Sequence, residues 1–173
     1  MILSVVLIVI DQMTKLMAIH GLMNQQPFVI LDGILELHYL ENRGAAFGIL
    51  QGKKAFFIIF TILVLAFIAY IYLKRIPDEK QFRLLYGICI LFFAGALGNF
   101  IDRVFRNYVV DFFYFKLIDF PIFNVADIYV TVAAFAMILL GLFYYNEDEY
   151  NKIFPAKKNK TIVKAFTQTV ITE

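Results

Sequence analysis

Serine and cysteine are almost missing from this chain: Ser4 and Cys89 are each the only residue of their kind. Histidine occurs twice, as His20 and His38, with no HExxH or other ligand spacing. Serine, thiol and zinc chemistry therefore lack their usual players. Cys89 sits inside an apolar run, where it reads as packing, and a single cysteine forms no internal disulfide. Charge is scarce too. Asp, Glu, Lys and Arg make up 17% of the 173 residues against 61% hydrophobic ones, and the mean hydropathy is +0.74. A soluble domain is about a quarter charged and nearer half apolar. This is the composition of a membrane protein. At about 20 residues per crossing, four spans use most of the chain and exclude a large separate soluble domain. The Lys and Arg residues are scattered over loops and tail, with no basic stripe for nucleic acid.

Four apolar runs fit four transmembrane helices, at about 2–23, 55–73, 84–101 and 128–145. The first is not a signal peptide: it has no basic n-region, no A-x-A-like site follows, and Asp11 and Lys15 interrupt its core. Each of those charges alone would cost roughly 2.5–3.5 kcal/mol at mid-membrane. Four apart on a helix, they share a face and can pair. The pair reads either as a structural ion pair that orients the helix or as a direct contact to a functional site. The third run carries Gly87, Gly95 and Gly98, which permit close helix contacts, and ends in Asn99, Asp102 and Arg103.

The segment 24–54 is the longest that does not span. Phe28 to Leu31, then Asp32-Gly33, then Ile34 to Tyr39 reads as a hairpin around an Asp-Gly turn. Leu35, Leu37 and Tyr39 alternate with Glu36 and His38, so one face is apolar, and His38 reads as an outward strand residue. This ribbon is too small for a core of its own and would rest on the membrane or over the helices. Asn42, Arg43 and Gly44 make a turn, and small residues at 44–46 permit close backbone approach. Gly44 thus joins the candidate site residues.

Residues 98–127 hold Asp102, Asp111, Asp119 and Asp127, four of fourteen acidic residues. Singly, each has a bland reading. Asn124 and Asp127 fit a loose capping box at the start of the fourth span, and Asp111 fits a turn between Val109-Val110 and an aromatic run. Together they differ. Asp111 and Asp127 are sixteen residues apart, joined by an apolar strap that can fold back and bring two carboxyls into contact. Such a pair shares a proton and titrates as a unit. Its ionised member can draw a proton from water while the protonated one polarises a peptide carbonyl. Arg103 can pair with Asp102 or hold a substrate carbonyl, and Asn42, Asn99 and Asn124 can supply neutral hydrogen bonds.

Basic residues set the expected orientation. The 74–83 loop and the tail after Tyr145 hold nine Lys or Arg, against six in the other two loops. The positive-inside rule puts both termini and the 74–83 loop in the cytoplasm. Segments 24–54 and 102–127 then lie together on the outer side, where ribbon and strap would cover the site and limit bulk water.

Five motifs in order, DQMTK at 11–15, ENRGAAFG at 41–48, GNFIDR at 98–103, VVDF at 109–112 and FNVAD at 123–127, make the chain resemble the lipoprotein signal peptidases. That family, bacterial signal peptidase II, comprises membrane aspartic peptidases. The resemblance implies one four-helix peptidase domain over 1–150, with an extracytoplasmic β-cradle in 24–54 and an active-site loop at 102–127; the lysine-bearing tail at 151–173, cytoplasmic by the positive-inside rule, is longer than the family's core fold needs and carries no assigned function. It implies cleavage of diacylglyceryl-modified prolipoproteins just before the lipid-bearing cysteine, in the bacterial cytoplasmic membrane, in contact with membrane lipids. It carries the catalytic pair to Asp111 and Asp127, and supporting roles to Asp11, Lys15, Asn42, Asn99, Asp102, Arg103 and Asn124, beside the candidate Gly44 of the turn. It implies inhibition by the cyclic peptide globomycin at the same site; the residue inventory itself calls for no metal, cofactor or nucleic acid.

The competing reading is a small polytopic transporter or ion-conducting protein with Asp11, Lys15 and Asp102 lining a pathway. No inverted repeat is visible, and the acids cluster at one face. An intramembrane protease of the presenilin type would need a GxGD motif, which is absent. A non-enzymatic scaffold would tolerate asparagine at 111 and 127.

Overall fold

Each of the four apolar runs is a helix in the computed structural model, which describes residues 2–44 and 52–155. The helices are α1 (Ile2–Leu22), α2 (Lys54–Tyr70), α3 (Arg83–Phe105) and α4 (Val125–Leu139). α2 and α4 run on through wider π-helical turns, Ile71–Arg75 and Leu140–Tyr144. The continuous helical segments have 20 to 26 residues, and each contains an 18-residue stretch with a mean hydropathy of 2.0 to 2.8. At about 1.5 Å per residue they match a hydrocarbon core of about 30 Å.

α3 is the central helix and packs against α1, α2 and α4. Two of its glycines make this possible. A Cβ at Gly95 would lie 2.5 Å from the Ala126 carbonyl oxygen, and one at Gly98 would lie 2.5 Å from Asp11 Oδ2. Gly87 faces open space and plays no such part. α2 buries no residue fully, as a helix facing lipid should. Cys89 is buried beside Ile71, Phe82, Leu85 and Ile153 and serves as packing.

Two helix limits differ from the sequence expectation. α3 runs to Phe105 instead of stopping at 101, and α4 begins at Val125 instead of 128. The polar residues that seemed to end the third span are satisfied inside the bundle, so the helix continues through them. Asp102 and Arg103 therefore stand on α3, and Asp127 stands in the first turn of α4.

The β element is larger than a hairpin. β1 (Phe28–Leu31) and β2 (Leu35–Asn42) form the expected antiparallel ribbon, with Gly33 at φ 67° in the turn. A third strand, β3 (Val109–Phe115), pairs antiparallel with β2, giving the order β1-β2-β3. Ribbon and strap are thus one sheet, and Asp111 lies within a strand, not in a turn. β2 also departs from simple alternation. Leu37 opposes Phe113, but the next pair is Leu40 with Asp111, so one extra residue intervenes. Directly opposed residues share a face. The irregularity therefore puts Leu40 and Asn42, in place of Tyr39 and Glu41, on the face of Asp111.

Glu36, expected to face outward, is the most buried residue of β2. Lys116 reaches it at 2.6 Å and His38 at 2.7 Å, covering the carboxylate and holding it below the usual carboxylate range. After β3 a short turn, Lys116–Ile118, reverses the chain. A further helix, α5 (Glu147–Ile153), buries Ile153 against Phe82 and Leu85. Residues 45 and 46 of the small-residue turn and 156–173 of the lysine-bearing tail lie outside the described residues.

Candidate active site

Asp111 and Asp127 are brought together by a chain reversal that ends on Phe123. The N–H groups of Phe112 and Phe113 both donate to the Phe123 carbonyl, at 2.9 and 2.8 Å, and the Phe123 N–H returns to the Phe113 carbonyl at 3.0 Å. Its ring lies 5.6 Å from that of Phe113 and 5.8 Å from those of Phe115 and Phe120. Docking Phe123 on β3 delivers the next residue, Asn124, to the side of Asp111.

Asn124 is fully buried and its side chain serves both aspartates. Its Nδ2 donates to Asp111 Oδ1 at 2.6 Å, while its Oδ1 accepts the Asp127 N–H at 3.0 Å. Asp127 Oδ2 accepts the Asn124 N–H in return at 3.1 Å, completing the capping box of α4. Capping and site-building are the same contacts here. The other oxygens are also engaged: Asn42 Nδ2 donates to Asp111 Oδ2, and Asn99 Nδ2 donates to Asp127 Oδ1, both at 2.8 Å.

Burial perturbs the Asp111 carboxyl. It is 1% exposed, and burial, followed by the nearby Asp127 charge, pushes its pKa up to about 7. Asn42, Asn124 and Lys15 pull the other way without cancelling the rise.

The expected Asp11–Lys15 pair forms at 2.9 Å with both side chains fully buried. It is also more than a pair. Lys15 reaches Asp102 at 3.0 Å and Asn99 Oδ1 at 2.8 Å, and Asn99 Oδ1 takes a further bond from Asn124 Nδ2 at 3.1 Å. The pair links α1 to α3 and α4, and Lys15 meets Asn99, which in turn holds Asp127.

Arg103 does not pair with Asp102. It lies one residue round the helix, with its guanidinium over the Phe57 ring at 4.8 Å and bonds to the carbonyls of Asn99 at 3.4 Å and Gly44 at 3.3 Å. Gly44 in turn donates its N–H to Asn42 Oδ1 at 3.0 Å. Besides Lys15, Asp102 pairs with Arg106, four residues on and on the same helix face. Gln12 joins them, donating to Asp11, to Asp102 and to the Gly98 carbonyl, and accepting from Arg106 at 3.0 Å. Arg106 and Gln12 are absent from the sequence-derived set. Their signals were present: an i+4 spacing for one, and a polar residue inside an apolar run for the other.

All ten sequence-derived residues therefore stand in one connected polar network at one end of the bundle. Among the described residues no side-chain buried N or O lacks a partner, and no group of three or more His, Cys, Asp or Glu is arranged to hold a metal ion. A buried carboxyl pair among neutral amide donors and beside a cation is equipped for acid–base chemistry on water and a carbonyl.

The sequence model for the family described as signal peptidase (SPase) II matches residues 3–143. The chain is similar to the lipoprotein signal peptidase of Streptococcus thermophilus (strain CNRZ 1066), with 42% identity covering 78% of this chain and 86% of that one. It is similar to that of Clostridium novyi (strain NT) at 38% identity, covering 82% and 94%. Two solved bacterial membrane enzyme structures, obtained by the in meso method at 2.3 and 1.9 Å resolution, share its fold. The first has TM-score 0.72 and 33% identity, covering 91% of each chain, and the second 0.73 and 36%, covering 83% of this chain and 92% of the other.

Proposed function

The chain belongs to the signal peptidase II family, and we propose that it is an aspartic endopeptidase cutting diacylglyceryl-modified prolipoproteins immediately before the lipid-bearing cysteine. The family makes it a multi-pass membrane peptidase that removes signal peptides from lipoproteins. One observation carries the aspartic assignment: a single buried side chain, Asn124, holds both Asp111 and the backbone of Asp127.

In this reading Asp127 is the ionised member. It sits in the first turn of α4, where the helix dipole favours negative charge. Asp111 holds the proton near neutral pH. Asp127 takes a proton from water as the water oxygen attacks the scissile carbonyl carbon, and Asp111 gives its proton to the carbonyl oxygen. Collapse of the resulting gem-diol returns a hydroxyl proton to Asp111. The C–N bond breaks, and the proton on Asp127 passes to the leaving amine of the lipidated cysteine. No metal or cofactor enters these steps.

The positive-inside rule supports placing both termini on the cytoplasmic side of the bacterial cytoplasmic membrane. The site then lies at the outer face, beside a scissile bond held near the interface by its lipid. A cyclic peptide inhibitor such as globomycin would occupy the same space. The test uses purified protein in lipid, offered the prolipoprotein with and without its diacylglyceryl group. Mass spectrometry should find one new N-terminus, at the lipidated cysteine, and no cut in the unmodified substrate. Cleavage elsewhere, or equal cleavage of both substrates, would overturn the assignment.

A further inference from the structure

Lys15 makes all the hydrogen bonds its ammonium can donate, and all are inside the bundle: to Asp11 Oδ2, Asp102 Oδ2 and Asn99 Oδ1. The two carboxylates each go on to hold a backbone N–H. Asp11 Oδ1 accepts from Ala126 at 2.9 Å, and Asp102 Oδ2 accepts from Val110 at 3.1 Å. Ala126 immediately precedes Asp127, and Val110 immediately precedes Asp111. The two arms are equivalent: ammonium, carboxylate, then the amide of the residue just ahead of a site aspartate.

We propose that Lys15 is a positioning residue that sets the placement of Asp111 relative to Asp127, acting through Asp102 and Asp11, with Asn99 as a third arm onto Asp127. The inference rests on the reading of Asp111 and Asp127 as the catalytic pair. An ion pair that only seated α1 would need one carboxylate. This ammonium spans two, at the desolvation cost of burying three charges, and the two arms end on different elements, β3 and α4. Arg106 beside Asp102 balances the cluster's charge. Placement matters because a misplacement of about 1 Å can cost about 10²-fold in rate.

Lys15→Met is the direct test, and Asp11→Asn/Lys15→Met is its charge-balanced companion should the single variant fail to fold. The intact protein in lipid is used, with kcat and KM measured on the lipidated substrate and hydrogen exchange followed at individual amides. In a folded variant kcat should fall by about 10- to 100-fold while KM stays within about twofold. The Val110 and Ala126 amides should lose protection together, although Lys15 touches neither. In Lys15→Met the alkaline limb of kcat should also move to higher pH, because Asp111 then faces Asp127 of α4 and Asp102 and Arg103 of α3 without the α1 cation. A folded variant with wild-type kcat, or with both amides as protected as before, overturns the inference, even if its Tm has fallen. The exchange measurement also separates two failures. Loss of protection in a protein that never cleaves lipoprotein would sink the peptidase reading and leave the positioning geometry standing. Cleavage unaffected by either variant would sink the positioning role alone.

Discussion

Asn124 donates to Asp111 at 2.6 Å from thirteen residues further along the chain, with no exposure to solvent. The same side chain caps α4, so helix start and site geometry are one construction. Asn124→Ala removes both. It should cost about 1 kcal/mol as a lost cap, and lower kcat by about 10²-fold or more through misplacement of Asp111. Asn146 is the control, because it forms an equivalent capping box with Glu149 on the exposed α5. Asn146→Ala should lower Tm slightly and leave kcat unchanged. Equal effects of the two variants on kcat would mean that Asn124 only caps.

Burial and the Asp127 charge hold the Asp111 pKa at about 7, above its ordinary 3.8. Between those values the folded state binds a proton that the unfolded state releases, so stability falls as pH rises. The contribution is full below 3.8 and lost once pH passes about 7. Thermal melts from pH 4 to 8 should therefore show a steeper decline for wild type than for Asp111→Asn. Parallel curves would place the Asp111 ionisation near its ordinary value.

Gly98 faces Asp11 at a distance that leaves no room for a methyl group, while Gly87 on the same helix faces open space. Gly98→Ala should push the Asp11 carboxylate off the Ala126 N–H, lowering both Tm and kcat. Gly87→Ala should leave both unchanged or raise Tm, since alanine favours helix. Melting and turnover of the two variants, side by side, check the pair.

The far end of the sheet is fastened by Glu36, which takes Lys116 and, from its own strand, His38. Its carboxyl is held below its ordinary value of 4.5, so its contribution is present above that value and lost as pH falls through the lowered one. Exchange protection at residues 116–120 should therefore drop in acid. Glu36→Gln should show the low protection at every pH.

The helices were legible because long apolar runs with little or no charge have few other uses at these lengths. The Asp32-Gly33 turn and the Asn124 cap were legible because their backbone demands are local. β3 was not: Val109–Phe115 is apolar on both faces except at Asp111, so it shows no alternation and reads as an irregular strap. The displacement of Tyr39 and Glu41 by Leu40 and Asn42 was hidden too, because the irregularity depends on pairing with that unread strand. The end of α3 was misplaced because Asp102 and Arg103 read as the edge of a hydrophobic span. Three of their partners, Lys15, Gly44 and Phe57, come together with them only when the chain folds, while Arg106, four residues on along the same helix, carried a local signal that went unused. The burial of Glu36 follows likewise from Lys116, eighty residues away in sequence.

The most direct test of the central claim is single-turnover cleavage of a diacylglyceryl-modified prolipoprotein by wild type, Asp111→Asn and Asp127→Asn, all shown to be folded. A shared acid–base pair predicts that each substitution lowers the rate by about 10²–10⁴-fold or more, with the lipidated substrate still bound. Cleavage at the wild-type rate by either folded variant would contradict it, and would move the chemistry away from the carboxyl pair that Asn124 holds together.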